Sequence, residues 1–214
     1  MKINYSYRMY GRSKGRGKNN ELTKDAISIK VKKIDPLKDN IIDIGAGYGE
    51  STLEISQTYT GKQVIACEKF IDGVNKIAEK NFKNSLTNIS IFHGNVHQLL
   101  DEYCPHNSIS EMWILFPDPW PKKRHFKRRL INVNFFSKVI DFLKKDATIH
   151  IASDSKLYIS DILLSIYQVK NEFKWMNQSK NEWDYLNMTL PQTKYFQKAL
   201  KKGLNPIYLK LIKY

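Results

Sequence analysis

An apolar run at residues 112–116 ends at three prolines placed at every second position, Pro117, Pro119 and Pro121. The run predicts a buried strand, which a proline ends because it has no N–H and a fixed φ. Proline also favours extended conformations in the residue before it, so a stiff, extended loop is expected after the strand. This loop carries one carboxylate, Asp118, and one large aromatic ring, Trp120. In open α/β sheets, ligands bind at the carboxyl ends of strands.

A basic run follows the loop directly. Six of the eight residues at 122–129 are lysine or arginine, and none is acidic. On its own, such a run is more typical of a solvated helix face than of a binding site. Here it adjoins a rigid acidic and aromatic loop, which a solvated face does not require. A dense cationic patch beside a pocket suits a polyanion whose reacting base enters that pocket.

A glycine-rich turn, D-I-G-A-G-Y-G, closes an earlier apolar run at residues 41–44. Gly45 and Gly47 allow a tight turn and a close approach of the backbone to a ligand. The spacing G-x-G-x-G, with Asp43 two residues before the first glycine, differs from the dinucleotide fingerprint G-x-G-x-x-G. The turn therefore predicts a ligand that contains a nucleoside but is not a dinucleotide.

Polar side chains also follow other predicted strands. The strand at 63–67 ends at Glu68, which either holds two ribose hydroxyls or is an exposed acid at a strand end. Asn95 follows a strand at 88–92. Asp154 follows a strand at 147–152, where it suits a ligand site and the N-cap of the next helix equally well. These strand ends are expected to meet at one edge of the sheet.

Strand and helix patterns alternate, which predicts right-handed βαβ crossovers and a mostly parallel sheet. One domain is expected at residues 31–214, preceded by a basic arm and leading helix at 1–30. Within it, residues 177–203 are expected to form an irregular insertion on the substrate side. Further elements are predicted as a leading helix at 21–34, later helices at 70–84, 96–103, 128–144 and 155–168, and strands at 173–176 and 206–212, the last of them at an edge.

The net charge of +14 indicates an anionic partner such as nucleic acid, although an AT-rich genome also raises the lysine content. Residues 1–20 contain six cations and no acid, which favours a nucleic-acid-binding arm over an ordinary frayed terminus. Neither Cys67 nor Cys104 has metal-ligand spacing, so reduced thiols, no metal and a cytoplasmic location are expected. No membrane partner is expected, because no apolar run approaches membrane-spanning length. A monomer or homodimer is expected.

The stretch F-P-D-P-W-P-K-K-R-H-F-K-R-R at residues 116–129 resembles the signature of the bacterial tRNA (guanine-N7)-methyltransferases. The motif is long and specific, and the resemblance extends over residues 41–212. It implies a Rossmann-like class I methyltransferase fold, with a mostly parallel seven-stranded sheet and helices on both faces. It also implies methyl transfer from S-adenosylmethionine to N7 of a guanine in the variable loop of tRNA.

The resemblance assigns expected roles to individual residues. Asp118 is the implied catalytic residue and also an implied cofactor contact. Asn95, where many relatives carry Asp, is expected to contact the adenine through its amide. The other implied cofactor contacts are Asp43, Gly45, Gly47 and Glu68. The implied tRNA contacts are Lys122, Arg124, Lys127, Arg128, Arg129, Asp154, Thr193 and Tyr195. Phe196 departs from the family pattern Thr-x-aromatic-Glu, which puts this part of the site in question.

Guanine N7 has a free lone pair and no proton, so its methylation requires no general base. Asp118 is therefore expected to orient the guanine by accepting hydrogen bonds from N1–H and N2–H, and to favour positive charge on the purine. An amino-group methyltransferase is disfavoured, because its loop has the order D/N-P-P-Y/W. A non-catalytic RNA-binding protein is disfavoured by Asp43, the glycines and Glu68. Trp120 either stacks on a flipped base or supports the loop from behind.

Overall fold

The computed structural model describes residues 21–214, so the arm predicted at residues 1–20 lies outside the described residues. The described residues contain strands β1 Asn40–Ile44, β2 Gln63–Glu68, β3 Ile89–His93, β4 Ile109–Leu115, β5 Leu143–Ser153, β6 Phe173–Trp175 and β7 Ile207–Lys213. They form one sheet with the order β3-β2-β1-β4-β5-β7-β6. The five strands from β3 to β5 are parallel, and β7 pairs antiparallel with both β5 and β6. The predicted sheet is confirmed.

Helices connect the strands and cover both faces of the sheet. Their bounds are α1 Lys24–Ser28, α2 Glu50–Thr58, α3 Ile71–Lys83, α4 Val96–Tyr103, α5 Val133–Val139, α6 Lys156–Gln168, α7 Lys180–Trp183 and α8 Lys194–Lys201. Side chains of α4, α5 and α6 pack in one apolar core. Side chains of α2, α3 and α8 pack in the other. Because β1 has alternate side chains in the two cores, Ile41 in one and Ile42 in the other, the sheet is buried on both faces.

Four predicted elements differ from the observed ones. The leading helix is only α1, because the chain at Lys30 makes a parallel bridge to Ile91. The helix predicted at 128–144 begins only at Val133, where the Asn132 side chain caps it, and ends before β5. β7 is not an edge strand, since it lies between β5 and β6. Residues 177–203 are less irregular than predicted, because they contain α7, a short 3₁₀ helix and α8.

A buried polar cluster joins the three central strands β4, β5 and β7. His150 Nε2 lies 3.0 Å from a Glu111 carboxylate oxygen, and its Nδ1 lies 2.7 Å from the Tyr208 hydroxyl. The same oxygen of Glu111 accepts a hydrogen bond from Trp113 Nε1, and the Trp113 ring stacks on the His150 ring at 3.9 Å. Burial lowers the pKa of His150, although the Glu111 carboxylate acts in the other direction. The cluster satisfies its polar atoms inside the sheet layer, so it has a structural role.

The order of the strands fixes where a ligand can bind. Chain order runs outward from β1 towards β3 on one side and from β4 towards β5 on the other. The crossover connections therefore leave β1 and β4 in opposite directions, and a crevice opens at their carboxyl ends. In the described part of the chain, no helix is both long enough and apolar enough to cross a bilayer.

Candidate active site

A cavity of about 780 Å³ lies at the carboxyl ends of β1, β2, β3 and β4. The walls come from segments that are distant in sequence, namely the glycine turn, the ends of β2 and β3, the proline loop, the basic run and α8. The predicted site residues that line the cavity are Gly45, Gly47, Glu68, Asn95, Asp118, Lys127, Arg128, Arg129 and Tyr195. Predictions made separately for several strand ends thus converge on one cavity.

The glycine turn adopts left-handed backbone conformations. Gly45, Gly47 and Gly49 have backbone φ values of 74°, 56° and 80°, which residues other than glycine rarely adopt. Asp43 lies beneath the turn, fully buried, and accepts hydrogen bonds from the hydroxyls of Ser51 (2.7 Å) and Thr52 (2.6 Å) at the start of α2. Burial raises the pKa of Asp43 to about 6, and the two hydroxyls oppose the shift. Asp43 is not among the residues that line the cavity, and the turn lies between it and that space.

Glu68 shapes the same turn from β2. Its carboxylate accepts hydrogen bonds of 2.7 Å from the backbone N–H groups of Gly47, Lys69 and Phe70. Burial raises the pKa of Glu68, and these three N–H groups oppose the shift. The carboxylate is nearly buried at the cavity wall, so the alternative of an exposed strand-end acid is wrong. A carboxylate has about four lone-pair sites, and Lys69 and Phe70 share one oxygen, so about one acceptor site remains for a ligand, on the oxygen bonded to Gly47.

Asn95 lies at the end of β3 and caps α4. Its side-chain oxygen accepts a hydrogen bond of 2.8 Å from the backbone N–H of His97. This contact orients the amide, so that its NH₂ group is the part free to donate to a ligand in the cavity. His97 lines the same wall, and burial lowers its pKa, so its neutral form is favoured there. Asn95 therefore suits a ring nitrogen that accepts a hydrogen bond.

The loop between β4 and the basic run turns sharply instead of extending. Phe116 and Trp120 have φ values of 54° and 42°, so the prediction of an extended loop is wrong at these two positions. The left-handed region is sparsely populated by bulky residues, and such backbone strain persists only where surrounding contacts impose it. The turn leaves Asp118 exposed on the cavity wall and Trp120 half-buried beside it. Lys69 lines the same cavity as Asp118. Burial lowers the pKa of Lys69, and the carboxylates of Asp118 and Glu68 oppose this shift.

The basic run forms a 3₁₀ helix, Lys123–Arg128, with two kinds of cation. Lys122, Arg124 and Lys127 are exposed, as a contact with phosphate requires. Arg128 is half-buried, and its guanidinium lies 5.0 Å from the centre of the Trp120 ring. Arg129 is buried and bonded within the protein, which leaves its side chain little surface for the predicted contact with tRNA. The run is therefore more than a solvated face.

Two predicted substrate residues, Thr193 and Asp154, do not line the cavity. The hydroxyl of Thr193 is buried and caps α8 by accepting a hydrogen bond from the N–H of Phe196, so its predicted contact with substrate stays a prediction. Phe196 replaces the family's acid with a buried ring 4.6 Å from that of Tyr185. Asp154 does not line the cavity, and Ser155, not Asp154, is the N-cap of α6.

Sequence reasoning missed several residues of the cavity wall. Lys194 and Lys198 lie one helical turn apart on α8 and flank Tyr195. Burial raises the pKa of Tyr195, and the charge of Asp118 adds to the shift. A positional signal existed for Lys69, since it directly follows the strand-end acid Glu68. Among residues 21–214, no cluster of three or more His, Cys, Asp or Glu side chains could hold a metal ion.

The seven-stranded sheet, the glycine turn and the strand-end acid define a class I methyltransferase. The family model described as “Putative methyltransferase” matches residues 38–209. The tRNA (guanine-N(7)-)-methyltransferase of Nitrosomonas europaea is 35% identical over 76% of this chain and 71% of its own length. The enzyme of the same name from Chelativorans sp. is 30% identical over 83% of this chain and 76% of its own length. The chain belongs to the tRNA (guanine-N7)-methyltransferase family.

A solved structure supports the class at the level of fold. The geranyl diphosphate C-methyltransferase of Streptomyces coelicolor, solved in complex with Mg²⁺, geranyl diphosphate and S-adenosyl-L-homocysteine, has a TM-score of 0.53. The alignment covers 88% of this chain and 79% of that one, at 12% sequence identity. The two proteins therefore share a fold and little sequence.

Proposed function

We propose that this protein transfers a methyl group from S-adenosylmethionine to N7 of a guanine in tRNA, producing 7-methylguanosine. One observation carries the proposal: a single cavity is lined by the glycine turn and Glu68 on one side and by Asp118 and Arg128 on the other. A methyl donor held at the first wall and a base held at the second are then in the same enclosed space. Membership of the family supports the choice of guanine N7 and of tRNA.

The cofactor wall fits S-adenosylmethionine, which supplies an electrophilic methyl group when it is bound. Gly45 and Gly47 allow the backbone to approach the ligand closely, since neither carries a side chain. Three of the about four lone-pair sites of the Glu68 carboxylate bind backbone N–H groups, so about one site, on Oε2, is left for a ribose hydroxyl. Asn95 donates from its amide towards a ring nitrogen of the adenine. Asp43 holds the turn in shape from below through α2.

The opposite wall fits a guanine presented edge-on. Asp118 accepts hydrogen bonds from guanine N1–H and N2–H, which turns N7 away from the carboxylate and towards the cofactor wall. No proton leaves N7, so no group of the protein has to act as a base. The negative charge of Asp118 also favours the positive charge that the purine acquires. Trp120 is held by Arg128 and borders the cavity, where it limits the space beside the base.

The exposed cations of the basic run extend the site outward towards an RNA backbone. Lys127 lines the cavity, and Lys122 and Arg124 are exposed in the same run, so this surface attracts phosphates without selecting a sequence. The guanine reaches Asp118 by leaving its stack. We place this guanine in the variable loop of cytoplasmic tRNA, as the signature at residues 116–129 implies, and we keep Asp154 as a candidate contact.

Chemical mapping of the product tests the proposal. Transfer RNA incubated with the protein and S-adenosylmethionine is treated with borohydride and aniline, which cleave at 7-methylguanosine. One protein-dependent cleavage site in the variable loop is expected. A methyl group found on an exocyclic amine would favour the amino-group alternative. Equilibrium dialysis with labelled S-adenosylmethionine provides a separate check, since a non-catalytic RNA-binding protein would bind none.

A further inference from the structure

Arg129 stands apart from the rest of the basic run because it is buried. Its side chain is only 3% exposed. Its Nε donates a hydrogen bond of 2.7 Å to the backbone carbonyl of Pro119, which lies between Asp118 and Trp120. Its Nη1 pairs with the carboxylate of Asp161, which projects from α6. The guanidinium thus connects the loop that carries Asp118 to a helix on the other side of the basic run.

The packing around this guanidinium fixes its plane. The ring of Phe126 lies 3.7 Å from the guanidinium carbon, and the ring of Tyr158 lies 5.0 Å from it. The hydroxyl of Tyr158 accepts a hydrogen bond from the backbone N–H of Ile131, so that ring is itself held in place. Planar stacking and two directed N–H bonds are properties of arginine that lysine lacks. We call the two directed bonds of the guanidinium, to the Pro119 carbonyl and to the Asp161 carboxylate, the fork. Because its plane is fixed, the fork holds the Pro119 carbonyl in one position and direction.

The loop needs such an external contact. Phe116 and Trp120 are held in left-handed conformations, and three of the six residues at 116–121 are prolines that cannot donate hydrogen bonds. At the start of the loop, the N–H of Phe116 is bonded to the carbonyl of Ala152 in β5 at 2.8 Å. The bond from Arg129 to Pro119 is a second fixed point, on the far side of Asp118. Asp118 lies between these two fixed points.

We propose that Arg129, with Asp161 as its counter-ion, is a positioning residue that holds the Asp118 loop in its reactive shape and does not bind phosphate. The expected effect on the rate of methyl transfer rests on the proposed function, whereas the expected effect on the shape of the loop does not. Removing the fork releases Pro119, which allows Phe116 and Trp120 to relax and Asp118 to move. A shift of about 1 Å in an orienting group lowers a rate by up to about 100-fold.

The variants Arg129→Lys and Asp161→Asn test the role, and Arg129→Ala is the stronger change. Each is expected to lower kcat by about 10- to 100-fold at saturating tRNA, and to leave the dissociation constant for S-adenosylmethionine within about twofold. The slope of tRNA affinity against salt is expected to stay unchanged, since no phosphate contact is lost. Lys127→Ala is the contrasting variant, in which that slope falls by about 0.7 to 0.9. The double variant Arg129→Ala/Asp161→Ala is expected to be no slower than Arg129→Ala alone, because the pair acts as a unit.

A second readout does not depend on catalysis. Hydrogen exchange is measured by NMR at two bonded amides beside the fork, Phe116 (to the Ala152 carbonyl) and Ile131 (to the Tyr158 hydroxyl). Exchange at both is expected to accelerate at least about tenfold in Arg129→Lys and Asp161→Asn, while amides of β4 keep their protection. If the parent forms no 7-methylguanosine, the proposed function is wrong, but the exchange rates still test whether Arg129 holds the loop in place. Unchanged exchange together with a reduced salt slope would make Arg129 a phosphate ligand and overturn the inference. Asp161 is partly exposed, so Asp161→Asn is expected to fold even where Arg129→Ala does not.

Discussion

Asp118 is the residue at which orientation and proton abstraction make different predictions. Asp118→Asn keeps one carbonyl acceptor for the guanine, whereas Asp118→Ala keeps none and leaves donors on the base unpaired. We expect kcat to fall by roughly 10-fold in the Asn variant and by roughly 100- to 1,000-fold in the Ala variant, as for a group that stabilises charge. Single-turnover methylation assays measure both rates, and both variants are expected to bind tRNA like the parent.

The parent enzyme provides the matching control in heavy water. No proton leaves the base during transfer to N7, so a solvent isotope effect close to unity is expected. An Asn variant as inactive as the Ala variant, together with a large isotope effect, would indicate proton abstraction. The target would then be an amino group.

Asp43 gives the folded protein a pH dependence with a definite sign. Its pKa is raised from 3.8 to about 6 by burial, so between these values the folded protein holds a proton that the unfolded chain has lost. The free energy of unfolding therefore falls as pH rises through this window, by an amount on the order of 3 kcal/mol. The Asp43→Asn variant has no carboxyl group to titrate at this position. Its free energy of unfolding should therefore rise relative to that of the parent as the pH is raised from 4 to 7. Urea unfolding at both pH values measures the difference, and a difference that does not change with pH would contradict the assignment.

Places in the cavity wall were predictable where they follow from strand ends, and unpredictable where they follow from packing. Glu68 ends β2, and Asn95 and Asp118 follow the ends of β3 and β4, which meet in this class of sheet. Nothing in a run of six cations distinguishes Arg129 from its neighbours, because its burial depends on Phe126 below it and on Asp161 from a distant helix. Likewise, a threonine before a helix fits both an N-cap and a binding residue, so the sequence alone does not show that Thr193 caps α8.

At the scale of elements, the contact between α3 and the glycine turn determines the shape of the cofactor wall. Gly73 on α3 lies so close to the turn that an added Cβ would be 2.3 Å from the carbonyl oxygen of Gly47 and 3.3 Å from Cγ of Glu68. Gly73→Ala should therefore displace the turn, raise the dissociation constant for S-adenosylmethionine by at least about 10-fold, and destabilise the fold by roughly 1 to 3 kcal/mol. Isothermal titration calorimetry and thermal unfolding measure the two effects.

Gly61 provides the matched control for this substitution. An added Cβ there has no atom within 4 Å, and the backbone φ does not require glycine. Gly61→Ala should bind the cofactor as the parent does. Equal binding by the two alanine variants would show that the close approach of α3 does not matter for the cofactor.

Elements were predictable from sequence to the extent that local patterns define them. Each central strand is a short apolar run, so β1 to β4 were found within a few residues of their bounds. β7 was expected at an edge, but its place between β5 and β6 depends on pairings with strands far away in the chain. The helix predicted at 128–144 was too long because the apolar stripe continues through Leu143, although that residue belongs to β5.

At the scale of the whole molecule, the excess of positive charge matters only where it faces the RNA. Lys122→Ala and Lys127→Ala should each lower the slope of log affinity for tRNA against log salt by about 0.7 to 0.9, through the release of fewer counterions. Lys145→Ala makes the same change in net charge near the amino end of β5, away from the cavity. Filter binding at several salt concentrations measures all three, and equal slopes for Lys127→Ala and Lys145→Ala would make the basic run a solvated surface.

The proline spacing of the Asp118 loop also determines what kind of product its wall tolerates. Of the six residues at 116–121, three have no N–H, and the N–H of Phe116 is already bonded to Ala152. The backbone there has six carbonyl oxygens and at most two further N–H groups, those of Asp118 and Trp120. A purine methylated at N7 is a cation, which backbone oxygens attract and N–H groups repel. A wall poor in donors thus accommodates the charged product, and alternate prolines are a backbone-level means of removing donors without adding side-chain charge.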